Sequence, residues 1–176
     1  HDLCRRQRQM CIRDRLSGLL KPLEGEIDLI GTPISKLTMS EMDRFRGKNI
    51  GIVFQKPHFI NSLTVKENLQ LAQYISKKID KTRISSLLES LGIEDKANKK
   101  TLNLSQGEKQ RVAIALAIVN SPKLILADEP TSSLDDLNCN KVINLLKNQA
   151  AKYKAKLIII THDYRLKKHF KNTLSL

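Results

Sequence analysis

The chain has no tryptophan, and only three Tyr and four Phe among its 176 residues. So few aromatics argue against the base-stacking platforms of single-strand and RNA-recognition modules. Long hydrophobic runs are also missing. Apolar residues make up 40% of the sequence, yet the longest stretches, around Val112–Val119 and Leu157–Ile160, fall short of the ~20 residues a membrane helix needs. The sequence therefore predicts no span of its own across a bilayer. Cysteine is scarce. Cys4, Cys11 and Cys139 show no metal-ligand spacing and no evident pairing, and a reducing cytosolic setting fits them. Acidic residues are outnumbered, 18 against 31 Lys and Arg, for a formal charge of +13. Such a charge invites an anionic partner, nucleic acid or lipid, but scattered lysines read more simply as a solvated surface. The length suffices for one domain with a real core.

The first fifteen residues, HDLCRRQRQMCIRDR, do not read like the rest. They show no helical or strand periodicity and concentrate five arginines, whereas lysine dominates elsewhere. Arg5 to Arg15 can be written in frame, over eleven consecutive residues, as a DNA string resembling an adapter of transposon-based sequencing libraries. Residues 1–15 are therefore set apart as a non-native scar; the alternative is a basic N-terminal arm. Five arginines against two aspartates give the segment +3, so the remaining chain keeps +10 of the +13 and only Cys139.

From Leu16 the chain becomes coherent. Leu16–Pro22 reads as the end of a helix stopped by Pro22, and Glu26–Gly31 as a short strand and turn. Ser40–Phe45 reads as one or two helical turns, with Ser40 as cap and Asp43 three residues on. Lys48–Phe54 is a strand closed by Gln55-Lys56-Pro57. Residues 64–79 have helical spacing, with Thr64 and Glu67 placed for a capping box. A helix over Lys81–Leu91 stops at Gly92, and another covers Ser105–Val119. Leu124–Ala127 is a buried strand, Asn138–Lys152 a helix and Leu157–Ile160 a second buried strand. Lys171–Leu176 reads as part of a last strand. Alternating strands and helices predict an α/β fold with a mostly parallel sheet flanked by helices, interrupted by a helical insertion over 62–119.

The most informative run is Leu104–Asp135, LSQGEKQRVAIALAIVNSPKLILADEPTSSLD. A small polar loop, Leu104-Ser105-Gln106-Gly107-Glu108, opens an apolar helix. The strand Leu124–Ala127 ends in the carboxylate pair Asp128-Glu129, and Ser132-Ser133-Leu134-Asp135 forms an acidic turn. In that order these pieces resemble the nucleotide-binding domain of ATP-binding-cassette (ABC) ATPases, of the P-loop NTPase type. The resemblance covers Leu16–Leu176. It divides that span into a core part with the Q-loop (16–61), a helical subdomain with the signature (62–119) and a core part with Walker B, D-loop and switch histidine (120–176).

The resemblance implies a role for each residue. Asp128 would hold Mg²⁺, and Glu129 would polarise the water that attacks the γ-phosphate of ATP; an ordinary acidic pair at a strand end is the plainer reading. Backbone N–H groups at Ser105, Gln106 and Gly107, with the helix N-terminus, would bind phosphate, and Gly107 would allow close approach. In the family this loop serves the ATP held by the other subunit. Gln106 and Glu108 are mild departures from its commonest form, and a capping box Ser105-x-x-Glu108 explains the local sequence equally well. Gln55 stands at the Q-loop, where its side-chain oxygen would bind Mg²⁺. His162, after an Ile-rich strand, stands where the family carries a switch histidine facing the γ-phosphate. Asp135 would lie at the interface between two ATPase subunits; otherwise it is a turn aspartate. His58 and His169 receive no role.

One part of the family pattern is absent. ABC ATPases carry a GxxxxGK[ST] loop whose backbone cradles the phosphates, ahead of the helix ending here at Leu19-Leu20. No segment of these 176 residues matches it, so the chain is expected to bind ATP poorly or not at all and to be inactive by itself. The runs Lys48–Gln55 and Ser62–Asn68, with Ala127 before Asp128, look most like the branch that includes the ATPases of lipoprotein release, macrolide export and the cell-division FtsE/FtsX pair. That resemblance implies a homodimeric ATPase at the inner face of the cell membrane, cytoplasmic and attached through a separate ABC permease chain. No nucleic acid is expected. The alternatives are a non-transport ABC ATPase acting on nucleic acid or in translation, and a regulatory module without catalysis. The 48 residues between Gln55 and Leu104 leave no room for the coiled coil that would mark the first.

Overall fold

A computed structural model of the protein describes residues 11–132 and 134–174. Residues 1–10 of the segment set apart above, Ser133 of the acidic turn, and Ser175 and Leu176 of the expected last strand lie outside those residues.

Among the described residues five strands are formed: β1 (Asp28–Leu29), β2 (Thr32–Pro33), β3 (Ile50–Val53), β4 (Leu124–Asp128) and β5 (Lys156–Ile160). The last three make a sheet in the order β3-β4-β5. Both pairings are parallel, with Leu126 opposite Ile52 on one side and Ile158 on the other. All five residues of the central strand β4 are buried, so Leu124–Ala127 reads as an unbroken apolar run rather than an alternation, up to the closing Asp128. β1 and β2 form a small antiparallel hairpin across Ile30-Gly31. Its second strand escapes sequence reading because only two residues pair.

Besides a helical segment at residues 11–16, the described residues form the α-helices α1 (Met39–Asn49), α2 (Val65–Ile75), α3 (Lys81–Ser90), α4 (Gln106–Ile118) and α5 (Asp136–Lys152). Thr64 with Glu67 and Ser105 with Glu108 close capping boxes at α2 and α4, as their spacing predicts. At α1 the cap is Thr38, not Ser40. The Thr38 hydroxyl accepts from Glu41 N–H at 3.4 Å while the Glu41 carboxylate accepts from Thr38 N–H at 2.9 Å. That reciprocal pair moves the start ahead of Ser40, and the helix runs on to Asn49.

Residues 11–16 are helical, although their sequence lacks helical periodicity. A Schellman motif ends this helix, with Leu19 N–H donating to Asp14 C=O at 2.7 Å and Gly18 N–H to Arg15 C=O at 3.0 Å. Gly18 takes φ +68°, the left-handed conformation this cap requires. The helix therefore stops before Pro22, not at it. Residues 171–174 are irregular, since among the described residues they find no strand to pair with.

The helical insertion and the sheet share one apolar core. Leu69 of α2, Ile84, Leu87 and Leu88 of α3, and Val112, Ile114 and Ile118 of α4 pack together with Val53, Ile125 and Ala127 of the sheet. The helix α4 lies hard against β3. A Cβ at Gly51 would stand 2.0 Å from Ala117 C=O, so only glycine allows that approach.

Candidate functional site

Parallel topology places the ends of β3, β4 and β5 side by side, about 4.8 Å apart, and ligands of open α/β sheets bind beyond such ends. Gln55 follows β3, Asp128 closes β4 with Glu129 next to it, and His162 follows β5. Sequence positions more than a hundred residues apart thus meet along one edge.

Glu129 turns the chain sharply, at φ +48°, a costly conformation for a non-glycine residue. Four hydrogen bonds hold it there. Its N–H donates to Ile160 C=O at 2.8 Å. Its carboxylate accepts from the Thr161 hydroxyl at 3.0 Å, from His162 N–H at 3.0 Å and from His162 Nδ1 at 2.7 Å. Nδ1 faces a carboxylate and donates, so Nε2 is the nitrogen open to a ligand. The Glu129 side chain is 8% exposed and that of His162 53%.

Asp128 is buried and accepts from Arg13 Nη1 at 2.6 Å. Arg13 is braced by Asp14 and lies 5.4 Å over the Phe54 ring. Burial raises the Asp128 carboxyl above the usual range, and the Arg13 charge opposes that rise. Gln55 Nε2 donates to the Ser132 hydroxyl at 3.0 Å. A small cavity of about 70 Å³ brings Gln55 together with Gln106, Gln110, Glu129 and Pro130. An open groove next to it is lined by Ser132, His162, Asp163, Tyr164 and Arg165.

The remaining expected residues do not line that cavity. At the start of α4 the capping box permitted by the sequence is formed. Ser105 N–H donates to the Glu108 carboxylate at 2.7 Å and Glu108 N–H to the Ser105 hydroxyl at 3.3 Å. The Ser105 donors, followed by the Lys96 ammonium, hold the Glu108 carboxyl at about 2. A Cβ at Gly107 would meet nothing within 4 Å, so the fold itself gives no reason for glycine there. Asp135 caps α5, accepting from Asn138 N–H at 2.8 Å.

Several contacts escaped sequence reasoning: those of Arg13, Thr131, Thr161, Asp163 and Arg165. The Thr161-His162-Asp163 run was legible as a strand end, but only the histidine carried an assigned chemistry. Asp163 and Arg165, of opposite charge and two apart, were the remaining signal.

Whether these residues suit a divalent cation is settled by their donors. Asp128 is a buried carboxylate that already takes a cation, the Arg13 guanidinium, as its counter-charge. Among the described residues no group of three or more His, Cys, Asp and Glu could hold a metal. One carboxylate with the Gln55 amide oxygen suits Mg²⁺ shared with phosphate oxygens and water, the usual manner of Mg²⁺.

Residues 12–132 match the family model described as ABC transporter. The chain is 36% identical over 164 residues to the lipoprotein-releasing system ATP-binding protein LolD of Wigglesworthia glossinidia brevipalpis, covering 92% of this chain and 72% of that one. Among solved structures it is similar to the dimeric ATP-binding cassette MJ0796 in a post-hydrolysis state bound to ADP and Pi. That match has a TM-score of 0.77 at 33% identity and covers 88% of this chain and 70% of that chain. It is also similar to cbiO1 of Clostridium perfringens, part of the ABC transporter complex cbiONQ, with TM-score 0.77, 31% identity, and coverage of 88% and 62%. In line with the site at its strand ends, the chain belongs to the ABC transporter family, as an ATPase subunit.

Proposed function

We propose that this subunit, when completed by a phosphate loop, hydrolyses ATP between two copies of itself and drives a separate membrane permease of the lipoprotein-release or export type, at the cytoplasmic face of the inner membrane. The convergence of Gln55, Asp128, Glu129 and His162 on the ends of three adjacent parallel strands carries this reading. The likeness to LolD, a lipoprotein-releasing system protein, and to a dimeric cassette supports the permease and the dimer. Among the described residues no helix is long and apolar enough to cross a membrane, so a spanning component fits a different chain.

In this proposal Asp128 and Gln55 would hold Mg²⁺ in place of Arg13, and the bound ion would supply positive charge against phosphate oxygens. Glu129 is the general base. It must exchange its bond from His162 Nδ1 for one from the attacking water, while His162 Nε2 faces the γ-phosphate. Ser105, Gln106 and Gly107 present the N-terminus of α4 to the ATP of the partner copy, with Glu108 fixing that end through the capping box. The open space at Gly107 supports an external occupant. Asp135 stands at the interface of the two copies.

The 176-residue sequence contains no GxxxxGK[ST] run, and we propose that by itself it holds ATP weakly. Replacing residues 1–15 by a strand, phosphate loop and helix start should confer ATP hydrolysis. Glu129→Gln in that background should lower kcat by about 10²-fold or more, as for loss of a general base, and leave nucleotide binding intact. Micromolar ATP affinity of the unaltered chain, or hydrolysis insensitive to Glu129→Gln, would overturn the reading.

A further inference from the structure

Arg165 has no role in the scheme above, yet it joins two segments of the site. Its Nε lies 2.9 and 3.0 Å from the two Asp163 carboxylate oxygens and its Nη2 2.7 Å from one of them. On the other side Nη1 donates to Leu134 C=O at 3.1 Å and to the Asp136 carboxylate at 2.7 Å. Asp163 also accepts from the Thr131 hydroxyl at 3.0 Å. Its N–H donates to Thr161 Oγ1 at 3.0 Å, whose hydroxyl in turn donates to Glu129. A planar guanidinium can make these bonds at once because its donors form a rigid fork. Lysine, a point charge, cannot span them. The hydrogen bonds from the Arg165 side chain also hold the Asp163 carboxyl at about 2, so both partners stay ionised near neutrality.

We propose that Arg165 is a positioning residue, a clamp that fixes Thr131, Leu134 and Asp136, which follow β4, to the switch segment after β5 (161–165). Movement of His162 and Glu129 is thereby transmitted to the turn that follows β4. The functional weight of this link rests on the proposed ATPase dimer, in which that turn faces the other copy; the clamp itself does not.

Amide hydrogen exchange on the full chain, without nucleotide, tests it. Arg165→Gln should speed exchange at 131–138 and 161–163 by about tenfold or more and leave α2 and α3 unchanged. Arg165→Lys, which keeps the charge beside Asp163, should restore protection at 161–163 and not at 131–138. Exchange at 131–138 within twofold of the parent in Arg165→Gln would overturn the proposal. So would full rescue by lysine, which would reduce Arg165 to a counter-charge. If Arg165→Gln does not fold, Asp136→Ala replaces it. That variant removes one bond and should speed exchange at 134–138 alone, and no change there overturns the clamp. A failure of ATP binding leaves this test standing.

Discussion

Glu129 and Asp128 are neighbours in sequence and face opposite demands. The first is held at a left-handed backbone angle by bonds from Thr161 and His162. The second is buried with a guanidinium as its counter-charge. Side-chain exposures of 12% for Arg13 and 9% for Asp128 put the ion pair where water screens it little. Removing one partner should therefore cost far more than removing both. Arg13→Leu is expected to lower stability by about 2–3 kcal/mol, since it strands a buried carboxylate. Combined with Asp128→Asn, the loss should largely disappear. Urea unfolding of the two single variants and the double closes the cycle, and additive losses would show that the pair is not coupled.

The decisive element is α4. Its N-terminus is closed by Ser105 and Glu108, and its C-terminal half lies on β3 through the gap at Gly51. Ser105→Ala should cost about 1 kcal/mol through the lost cap. Gly107→Ala should instead stabilise the isolated chain by up to about 1 kcal/mol, because alanine is the better helix former and no atom obstructs its Cβ. With the start of α4 facing phosphate, the same change should impair hydrolysis in the phosphate-loop chimera, giving opposite signs for stability and activity. Gly51→Ala should destabilise by about 3 kcal/mol, because its Cβ meets a backbone carbonyl that cannot swing aside. Denaturant midpoints check all three. A neutral Gly51→Ala would mean that α4 is free to lift from the sheet.

Acid should act on the whole molecule through particular carboxylates. Asp163 is depressed to about 2 from 3.8 by Arg165, so its contribution is complete above pH 4 and fades as pH falls from about 4 to 2. Asp128 is raised by burial and has the opposite sign, since protonation relieves it. Asp163→Asn should therefore be less stable than the parent at neutral pH, with the difference vanishing between about pH 4 and pH 2. Thermal melts across that range measure it, and a difference independent of pH would remove Asp163 from the acid response. The formal charge of +13 adds general repulsion at low pH, which both proteins share.

Much of the architecture was legible in the chain itself. The run Leu124–Ala127 of β4 is apolar because both its faces are covered, and the boxes at Thr64 and Ser105 are local pairs set by residue spacing. Gln55, Asp128, Glu129 and His162 could be named because each stands where the resemblance to ABC ATPases puts a site residue, next to a strand that is itself readable. What the sequence could not contain is any relation between residues distant along it. The meeting of Glu129 with His162, of Arg13 with Asp128 and of Arg165 with Leu134 and Asp136 depends on the order and register of β3, β4 and β5. The choice of Thr38 over Ser40 and of Gly18 over Pro22 rested on which hydrogen bonds the packed chain closes. Local pattern decided which elements form, because hydrophobic spacing and capping act within a few residues. Tertiary structure alone decided which side chains share the site, because those contacts exist only once the parallel strands are aligned.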